Sequence, residues 1–518
     1  MLSSALHVIP KTATRRVFAL DAFLAAAGKL DGPDYHSLVA RCLDNNAADE
    51  KSFNQWLYQA LPVESRRCKR LAWAHRAADQ RLQRGEWIAR WKDETPSERT
   101  CPRVFFGIGD GNLERRWSAV FNSRKSKLIH PGAPWLAALR HWLPRLCSRN
   151  AGVAGSVGTI TYDLVTAYAL NVQRPVLLVL PFSLEKLAAH PLHHLTEGRL
   201  ETLTALTCQG LGVRCSKTSR MICRDRLLAC LADRHWVLDI RRGGNLHHIL
   251  QAQYARSPRT LLVSRPCDRA AQRSANFELV KNHPDGQILP DPPADDASVV
   301  ARGCTTPAGS PHAGILSSRR IKNRHGFLYH YTRSCPGPWP GQSYQKYLLS
   351  LFHNEPFCAH TALHTLVRIL LEQRIRASFK LIRGEQAVVS WTSVPPWQLQ
   401  TLRQWNPALI RWTFEPYGLA VRKKLVQRCG AKPAIYAKEQ DFGRLKAEDR
   451  FRYQRHEPHK SSWKHEREWR LPHDFPLQGL SKEDGFIFVP RLEDVRCIAE
   501  HVQSPLPLLV LPEFGIKD

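Results

Sequence analysis

At 518 residues the chain is too long for one hydrophobic core, and a prior of about 150 residues per domain divides it into roughly three pieces. A hydrophobic content of 43% excludes a wholly disordered chain, and a formal net charge of +29 favours polyanionic partners, nucleic acid among them, through counterion release. The charge is mostly arginine spread along the whole sequence, a pattern that genomic base composition produces equally well. No run approaches the ~18 apolar residues of a membrane span. The opening MLSSALHVIPKTATRRVFAL lacks the apolar core of a secretory leader, and the 14 cysteines contain no C-x-x-C pair. The expectation is a cytoplasmic protein with reduced thiols and no membrane association.

Residues 1–101 read as helical. ALDAFLAAAGKL, SFNQWLYQAL and RLAWAHRAADQRLQRGEWIARW carry apolar residues at three- and four-residue spacing with few turn signals. From Pro102 the texture changes. VFFGIG, SAVFNS, PVLLVLP, HWVLDI and TLLVSRP are strand-like with helices between them, which predicts an α/β domain over 102–282 built on a mainly parallel sheet.

The segment AGVAGSVGTITYDLVTAYALNVQRPVLLVLP, Ala151–Pro181, carries the clearest chemistry. Gly152, Gly155 and Gly158 precede a helix whose apolar face includes Leu164, Ala167 and Tyr168. Glycines let a backbone approach a ligand, and the following helix N-terminus offers unpaired amides and a positive dipole end to a phosphate. Gly155, Ser156, Gly158 and Thr159 are therefore candidate phosphate contacts, with Thr159 as a hydroxyl donor or helix cap. Two further strand ends carry similar residues: Ser123 and Arg124 after SAVFN, and Gly243 and Gly244 in RRGGNL. In an open α/β sheet ligands sit outside the carboxyl ends of strands, so the three segments together point to one phosphate site. Taken singly, each basic residue reads as a solvated loop charge.

The order SAVFNSRK, AGSVGT before a helix and the PVLLVLP strand, then RRGGNL before a helix, resembles the superfamily joining DNA-processing protein A to the Lonely Guy nucleotide-processing proteins, over roughly Pro102–Pro266. That resemblance implies a Rossmann-like domain binding nucleotides or single-stranded DNA. The P-G-G-x-G-T-x-x-E signature of Lonely Guy enzymes is missing, with Asp163 standing near the place of its glutamate, so the resemblance implies nucleotide binding or sensing ahead of phosphoribohydrolase activity.

Residues 283–318, HPDGQILPDPPADDASVVARGCTTPAGSPHAGILSS, are rich in Pro, Gly, Ala and Asp without periodicity and read as a linker. A second folded region, 319–518, opens with LYHYT and continues with a helix whose stripe is Leu363, Leu366, Val367, Leu370 and Leu371. VVSWTSVPP, RWTFEPYGLAVRKKLV, PAIY and SSWKHEREWRLP follow. His353, Cys358, His360 and His364 come nearest to a metal pattern, since His360 and His364 stand at i, i+4. No carboxylate or second cysteine completes a recognisable spacing, and no metal is expected.

His330, Tyr417 and Glu468 lie at strand ends. A carboxylate there can bond a ribose hydroxyl and stabilise an oxocarbenium-like transition state, and an aromatic or imidazole group can hold a nicotinamide or ribose; pairing of Arg470 with Glu466 or Glu468 is the structural alternative. In order, the H-Y-T start, V-S-W-T strand, Y-G-L-A-V-R-K segment and E-R-E-W-R resemble abortive-infection families distantly related to the ADP-ribosyltransferase fold, over about Gly326–Pro490. The resemblance implies an α+β domain using NAD, with His330 on ribose or nicotinamide, Ser390 and Thr392 lining the cleft, Tyr417 flanking nicotinamide and Glu468 as catalytic carboxylate, with Glu466 a competitor. Together the regions imply a bacterial conflict or stress protein, acting against phage, in which a nucleotide-derived signal governs an NAD-using effector. Two alternatives stay open: a noncatalytic factor binding single-stranded DNA, and a nucleotide hydrolase acting through the front domain.

Overall fold

The computed structural model describes residues 6–511 apart from 28, 46, 48, 62–70, 92–103, 127–128, 148–150, 191–201, 256–258, 266–272, 293–314, 317–325, 380–381, 384–385, 407–410 and 458–463. Most of the expected linker lies outside the described residues. The chain divides into two compact units. Unit 1 is built from Met1–Ser126, Gly132–Ala297 and Tyr344–His353, and unit 2 from Lys127–Pro131, Ser298–Ser343 and Asn354–Asp518.

In unit 1 the strands are β1 (Leu6–Val8), β2 (Glu86–Trp91), β3 (Val104–Gly109), β4 (Trp117–Phe121), β5 (Gly152–Ser156), β6 (Val176–Val179), β7 (Leu203–Thr207), β8 (Arg234–Val237), β9 (Thr260–Ser264) and β10 (Gln287–Leu289). The helices that matter most are α1 (Lys11–Ala27), α2 (Gly32–Leu43), α3 (Glu50–Ala60), α4 (Leu71–Gln83), α5 (Pro134–Cys147), α6 (Ile160–Asn171), α7 (Lys217–Leu231), α8 (Asn245–Tyr254), α9 (Asn276–Lys281) and α10 (Tyr344–His353). Among the described residues the ten strands form one sheet in the order β1-β2-β3-β7-β6-β5-β4-β8-β9-β10. The seven from β7 to β10 run parallel, and β3, β2 and β1 extend the β7 edge antiparallel. Strands β4 to β7 are buried at every position, as expected where helices cover both faces. This is the Rossmann-like α/β architecture expected from the alternation of strands and helices. Residues Gln287–Leu289, within the expected linker, belong to this sheet.

The helical segment at the front joins the same unit, and buried charge explains how. Arg81 of α4, 3% exposed in its side chain, bonds Asp21 of α1 at 2.7 Å and Glu86 of β2 at 2.6 Å. Asp21 also accepts from the Tyr35 hydroxyl at 2.7 Å and the Gly212 amide at 2.8 Å. The Arg81 guanidinium lies over the Phe18 ring at 4.0 Å. Each buried charge thus has a partner, the condition for tolerating it.

Helix α6 is buried on nearly all sides. Besides the sheet, it is covered by α10, from much later in the chain. Phe352 stacks on Tyr168 with centroids 4.3 Å apart, the Tyr344 hydroxyl donates to Asp163 at 2.8 Å, and Arg140 of α5 donates to the carbonyls of Leu351 and Phe352.

Unit 2 holds a mixed eight-stranded sheet among the described residues. Its strands are β11 (Ile315–Leu316), β12 (Phe327–Tyr331), β13 (Val389–Thr392), β14 (Gly418–Arg422), β15 (Lys432–Pro433), β16 (Glu468–Leu471), β17 (Gly485–Val489) and β18 (Leu508–Val510). The order is β11-β18-β17-β14-β12-β13-β16-β15, antiparallel except for β11-β18-β17. Helices α11 (Ala362–Leu371) and α12 (Leu492–His501) cover one face. Of the expected α11 stripe, Leu366, Val367 and Leu370 are buried, whereas Leu371 is exposed. Among the described residues no helix is long and apolar enough to cross a membrane.

Candidate functional sites

In the unit 1 sheet the chain winds outward from β4 through β5 and β6 to β7, then returns to place β8 on the other side of β4. The order therefore reverses between β4 and β8, and a ligand crevice is expected outside the carboxyl ends of those two strands. A cleft of about 540 Å³ lies there, lined by Asn122, Ser123 and Arg124 after β4, Thr159 and Tyr162 at the start of α6, Lys217, Met221, Arg224 and Asp225 among others on α7, and Arg241 and Gly244–Leu246 before and within α8.

Three features of this cleft suit a nucleotide. Helix α8 begins at Gly244 with no side chain capping it, so its first-turn amides have neither an intrahelical acceptor nor a capping oxygen. The exposed cations Arg124, Lys217 and Arg241 line the same cleft. Deeper in, Asn122 is 3% exposed; its Nδ2 donates to Thr161 Oγ1 at 3.0 Å while its Oδ1 is buried without a partner. An orphaned buried acceptor calls for a ligand donor such as a ribose hydroxyl or a base N–H. The opposite wall is fixed: Arg224 bonds Asp225 at 2.8 Å and the Val157 carbonyl at 3.0 Å, and the Tyr162 hydroxyl donates to Asp225 at 3.0 Å. Burial pushes the Asp225 carboxyl up, against the opposing pull of Arg224.

Of the expected phosphate contacts, Ser123, Arg124, Thr159 and Gly244 line this cleft. Thr159 serves as N-cap of α6, its hydroxyl accepting from the Tyr162 amide. Ser123 Oγ accepts from the Arg241 amide at 2.8 Å and so ties the β4 and β8 loops together. Gly155 and Ser156 are not in a turn; they belong to β5, with Ser156 Oγ donating to the Val179 carbonyl at 2.6 Å. A Cβ on Gly155 would come within 2.8 Å of Thr166 Oγ1, so this glycine allows close strand–helix packing. Gly158 and Gly243 adopt φ of +92° and +68°, and their amides donate to Asp163 and to His247 Nδ1, both at 3.1 Å. Asp163, standing near the place of the Lonely Guy glutamate, is thus held between the Gly158 turn and Tyr344, and burial pushes its carboxyl up to about 6.

Unit 2 contains a cavity of about 630 Å³ lined by His330, Ser390, Thr392, Glu466, Glu468 and Arg470, with Arg333, Arg376 and the aromatic rings of Tyr331, Trp391, Trp412 and Phe414. Glu468 is fixed from three directions: Ser390 Oγ donates to Oε1 at 2.9 Å, and Arg470 donates from Nε to Oε1 at 2.9 Å and from Nη2 to Oε2 at 3.1 Å. Register makes this possible, since Ser390 pairs with Arg470 and Thr392 with Glu468 across β13 and β16. Arg470, 2% exposed, also donates to the Phe451 and Tyr453 carbonyls and to Gln454.

Glu466 differs. It ends a short 3-10 turn, and Arg467, at φ +45°, redirects the chain before β16 begins, so both glutamates line one cavity. Burial, reinforced by the charge of Glu468 and opposed by that of Arg333, pushes the Glu466 carboxyl up to about 7. His330 donates from Nδ1 to the Ser390 carbonyl at 2.9 Å, which leaves the lone pair on Nε2, and burial lowers it to about 4, so the ring is neutral at physiological pH. Thr392 donates to the Glu466 carbonyl and accepts from the Val394 amide at 3.0 Å.

Tyr417 is not brought to this cavity. It is buried with the core under α11 and α12, where burial and the neighbouring Asp494 push its hydroxyl up. Of the metal-like pattern, His353 belongs to α10 in unit 1, and in unit 2 His360 stacks on Trp339 at 3.5 Å and donates to the Gly337 carbonyl at 2.7 Å. Among the described residues no three His, Cys, Asp or Glu side chains converge as metal ligands. Sequence reasoning missed Asn122 and Arg224, since a lone asparagine at a strand end and an arginine inside a helix carry no motif.

No family model matches the chain, and no curated protein matches it. Among solved structures, DNA processing protein A from Helicobacter pylori, described for its single-stranded DNA binding mode, is 14% identical with a TM-score of 0.30, over 41% of this chain and 96% of that one. DNA processing protein A from Streptococcus pneumoniae is 13% identical with a TM-score of 0.35, over 58% of this chain and 100% of that one.

Proposed function

We propose that unit 1 binds a nucleotide phosphate in the crevice between β4 and β8, acting in the cytoplasm. The carrying observation is the uncapped start of α8 in a cleft that Arg124, Lys217 and Arg241 also line, with the partnerless Asn122 Oδ1 in the same cleft. The phosphate takes the α8 amides, and Asn122 takes a ribose hydroxyl or base N–H. The nucleotide is either a free signal molecule or one unit of a single strand of DNA. Titration calorimetry with AMP and with a short oligodeoxynucleotide separates the two. Strand binding through the three rim cations has a log–log salt slope of about −2, since each phosphate neutralised on a single strand contributes ~0.7. Asn122→Ala weakens either ligand. Unchanged affinity in a folded variant removes the site from this cleft.

A second reading concerns unit 2 and is favoured by the fixing of Glu468 by Ser390 and Arg470 inside an aromatic-lined cavity. There the substrate is NAD, and the protein acts as an NAD-using effector in bacterial conflict with phage, governed by the unit 1 ligand. Glu468 accepts from a ribose hydroxyl and stabilises the positive charge that develops as the bonding pair leaves with nicotinamide. Release of nicotinamide by the full chain, with and without nucleotide, is the test. Strand binding in unit 1 with no nicotinamide release under any condition leaves the noncatalytic DNA-binding reading.

A further inference from the structure

The unit 2 cavity is bordered by a feature that neither reading uses. Trp405–Asn406 and Arg411–Trp412 form a short antiparallel pair in which Trp405 stands opposite Trp412. Their indoles meet edge to face with centroids 5.6 Å apart, yet they stay 49% and 36% exposed and lie outside both hydrophobic cores of this unit. Thr413 pins the base of the pair, its hydroxyl donating to the Leu402 carbonyl at 2.8 Å and accepting from the Gln404 amide at 2.9 Å. The Arg403 guanidinium lies over the Trp412 ring at 4.3 Å. Asn406, Trp412 and Thr413 also line the cavity. We propose that this tryptophan lip is a stacking platform for the bases of single-stranded nucleic acid, which it holds at the edge of the unit 2 cavity.

Two exposed indoles held together on a pinned ribbon make a contiguous apolar patch, which marks a binding surface. The charge around them selects the partner. Residues 398–413 carry Arg403 and Arg411 and no acidic residue. Residues 373–383, from which Arg376, Ser378 and Ile382 line the same cavity, carry Arg374, Arg376, Lys380 and Arg383 and again no acidic residue. Asp474, Glu372 and Glu439 pair with Arg374, Arg376 and Arg383, so the two segments keep a positive balance. Phe379, in the second segment, is a further exposed ring. A polyanion with flat aromatic faces satisfies both features: its phosphates answer the cations, and its bases stack on the indoles whatever their sequence. A duplex keeps its bases paired and stacked internally, so an unpaired strand is what reaches the tryptophans. An acidic protein segment matches the charge but lacks the flat faces. The site belongs to unit 2 and depends neither on strand binding in the unit 1 cleft nor on NAD turnover.

The experiment uses the full chain carrying Arg124→Glu, which weakens any strand binding by the unit 1 cleft. A fluorescein-labelled oligothymidylate is titrated by anisotropy, and the same strand containing 5-iodouracil is photo-crosslinked and mapped by mass spectrometry. The expected result is a crosslink to Trp405 or Trp412, with affinity falling about tenfold in Trp405→Ala and in Trp412→Ala, the loss of one stacked base. Trp412→Phe, which keeps a flat ring, retains most of the affinity. Unchanged affinity in both alanine variants, with circular dichroism like the parent, overturns the proposal. So does a crosslink confined to the unit 1 cleft, which assigns the strand there, or the absence of strand binding altogether. A parent that self-associates on size exclusion and becomes monomeric in Trp405→Ala makes the lip a contact between copies, and overturns it as well.

Discussion

Glu466 and Glu468 share a cavity but are held differently, and this makes separate predictions for each. Glu468 neutralises a guanidinium that is almost fully buried. Glu468→Gln therefore removes a charge-assisted contact and lowers stability by about 1–3 kcal/mol, read from urea unfolding, while Phe451, Tyr453 and Gln454 still hold Arg470. Any NAD turnover disappears in the same variant. For Glu466 the folded value of about 7 lies above the ordinary 4.5. Between those values the unfolded chain releases the proton and the folded one keeps it, so this residue's contribution to stability falls as pH rises from 4.5 to 7 and then levels off. Glu466→Gln abolishes that fall, so its stability advantage over the parent grows across the window and is constant above it. A parallel pH dependence in both proteins would show that the burial is relieved in solution.

At the scale of elements, the front helices are held by charge as much as by apolar contact. Arg81→Ala leaves Asp21 buried without an ionic partner, and Glu86 with Arg84 alone, and is expected to destabilise unit 1 by about 3–5 kcal/mol, measured by chemical denaturation. Arg81→Met, of similar volume, leaves the Asp21 carboxylate equally without its cation and does not rescue it. Helix α10 depends on Phe352, 4% exposed, and Phe352→Ala is expected to cost about 3–5 kcal/mol, with loss of the Tyr168 stack visible in near-ultraviolet circular dichroism. Elements with strong local periodicity were legible in the sequence: the run of parallel strands, the glycine-marked strand ends and the α11 stripe all stand near their expected places. What was hidden depends on distant partners. Gly155 and Ser156 read as a turn because glycine marks both turns and close packing, and only the approach of Thr166 distinguishes them. The helical character of Tyr344–His353 follows a Pro- and Gly-rich insertion, and its buried face has meaning only against α6.

For the whole molecule, the basic charge is the property least tied to any one site. The cleft uses three of its cations, whereas others are spent on structure, as Arg81, Arg224 and Arg470 are. Arg124→Glu is therefore expected to weaken a phosphate ligand severalfold with little change in the melting temperature, because Arg124 is an exposed side chain at the rim. Equal losses of affinity from charge reversal at cleft and at distant surface arginines would assign the charge to diffuse attraction. Of the candidate site in unit 2, the order LYHYT, VVSWT and EREWR brought His330, Ser390, Thr392 and Glu468 to one cavity. Tyr417 was misplaced because the strand-end position does not reveal which side of the sheet a ring occupies.

The capture of α10 by unit 1 has a topological consequence. A protease cut between residues 293 and 314 severs the chain, yet the upstream fragment then lacks a helix of its own fold, which the downstream fragment still carries. Nicked protein is therefore expected to migrate as one species on size exclusion under native conditions and as two under denaturing conditions. The same division offers a reporter: fragments 1–297 and 298–518, produced separately, are expected to reconstitute when mixed, and Phe352→Ala is expected to prevent it.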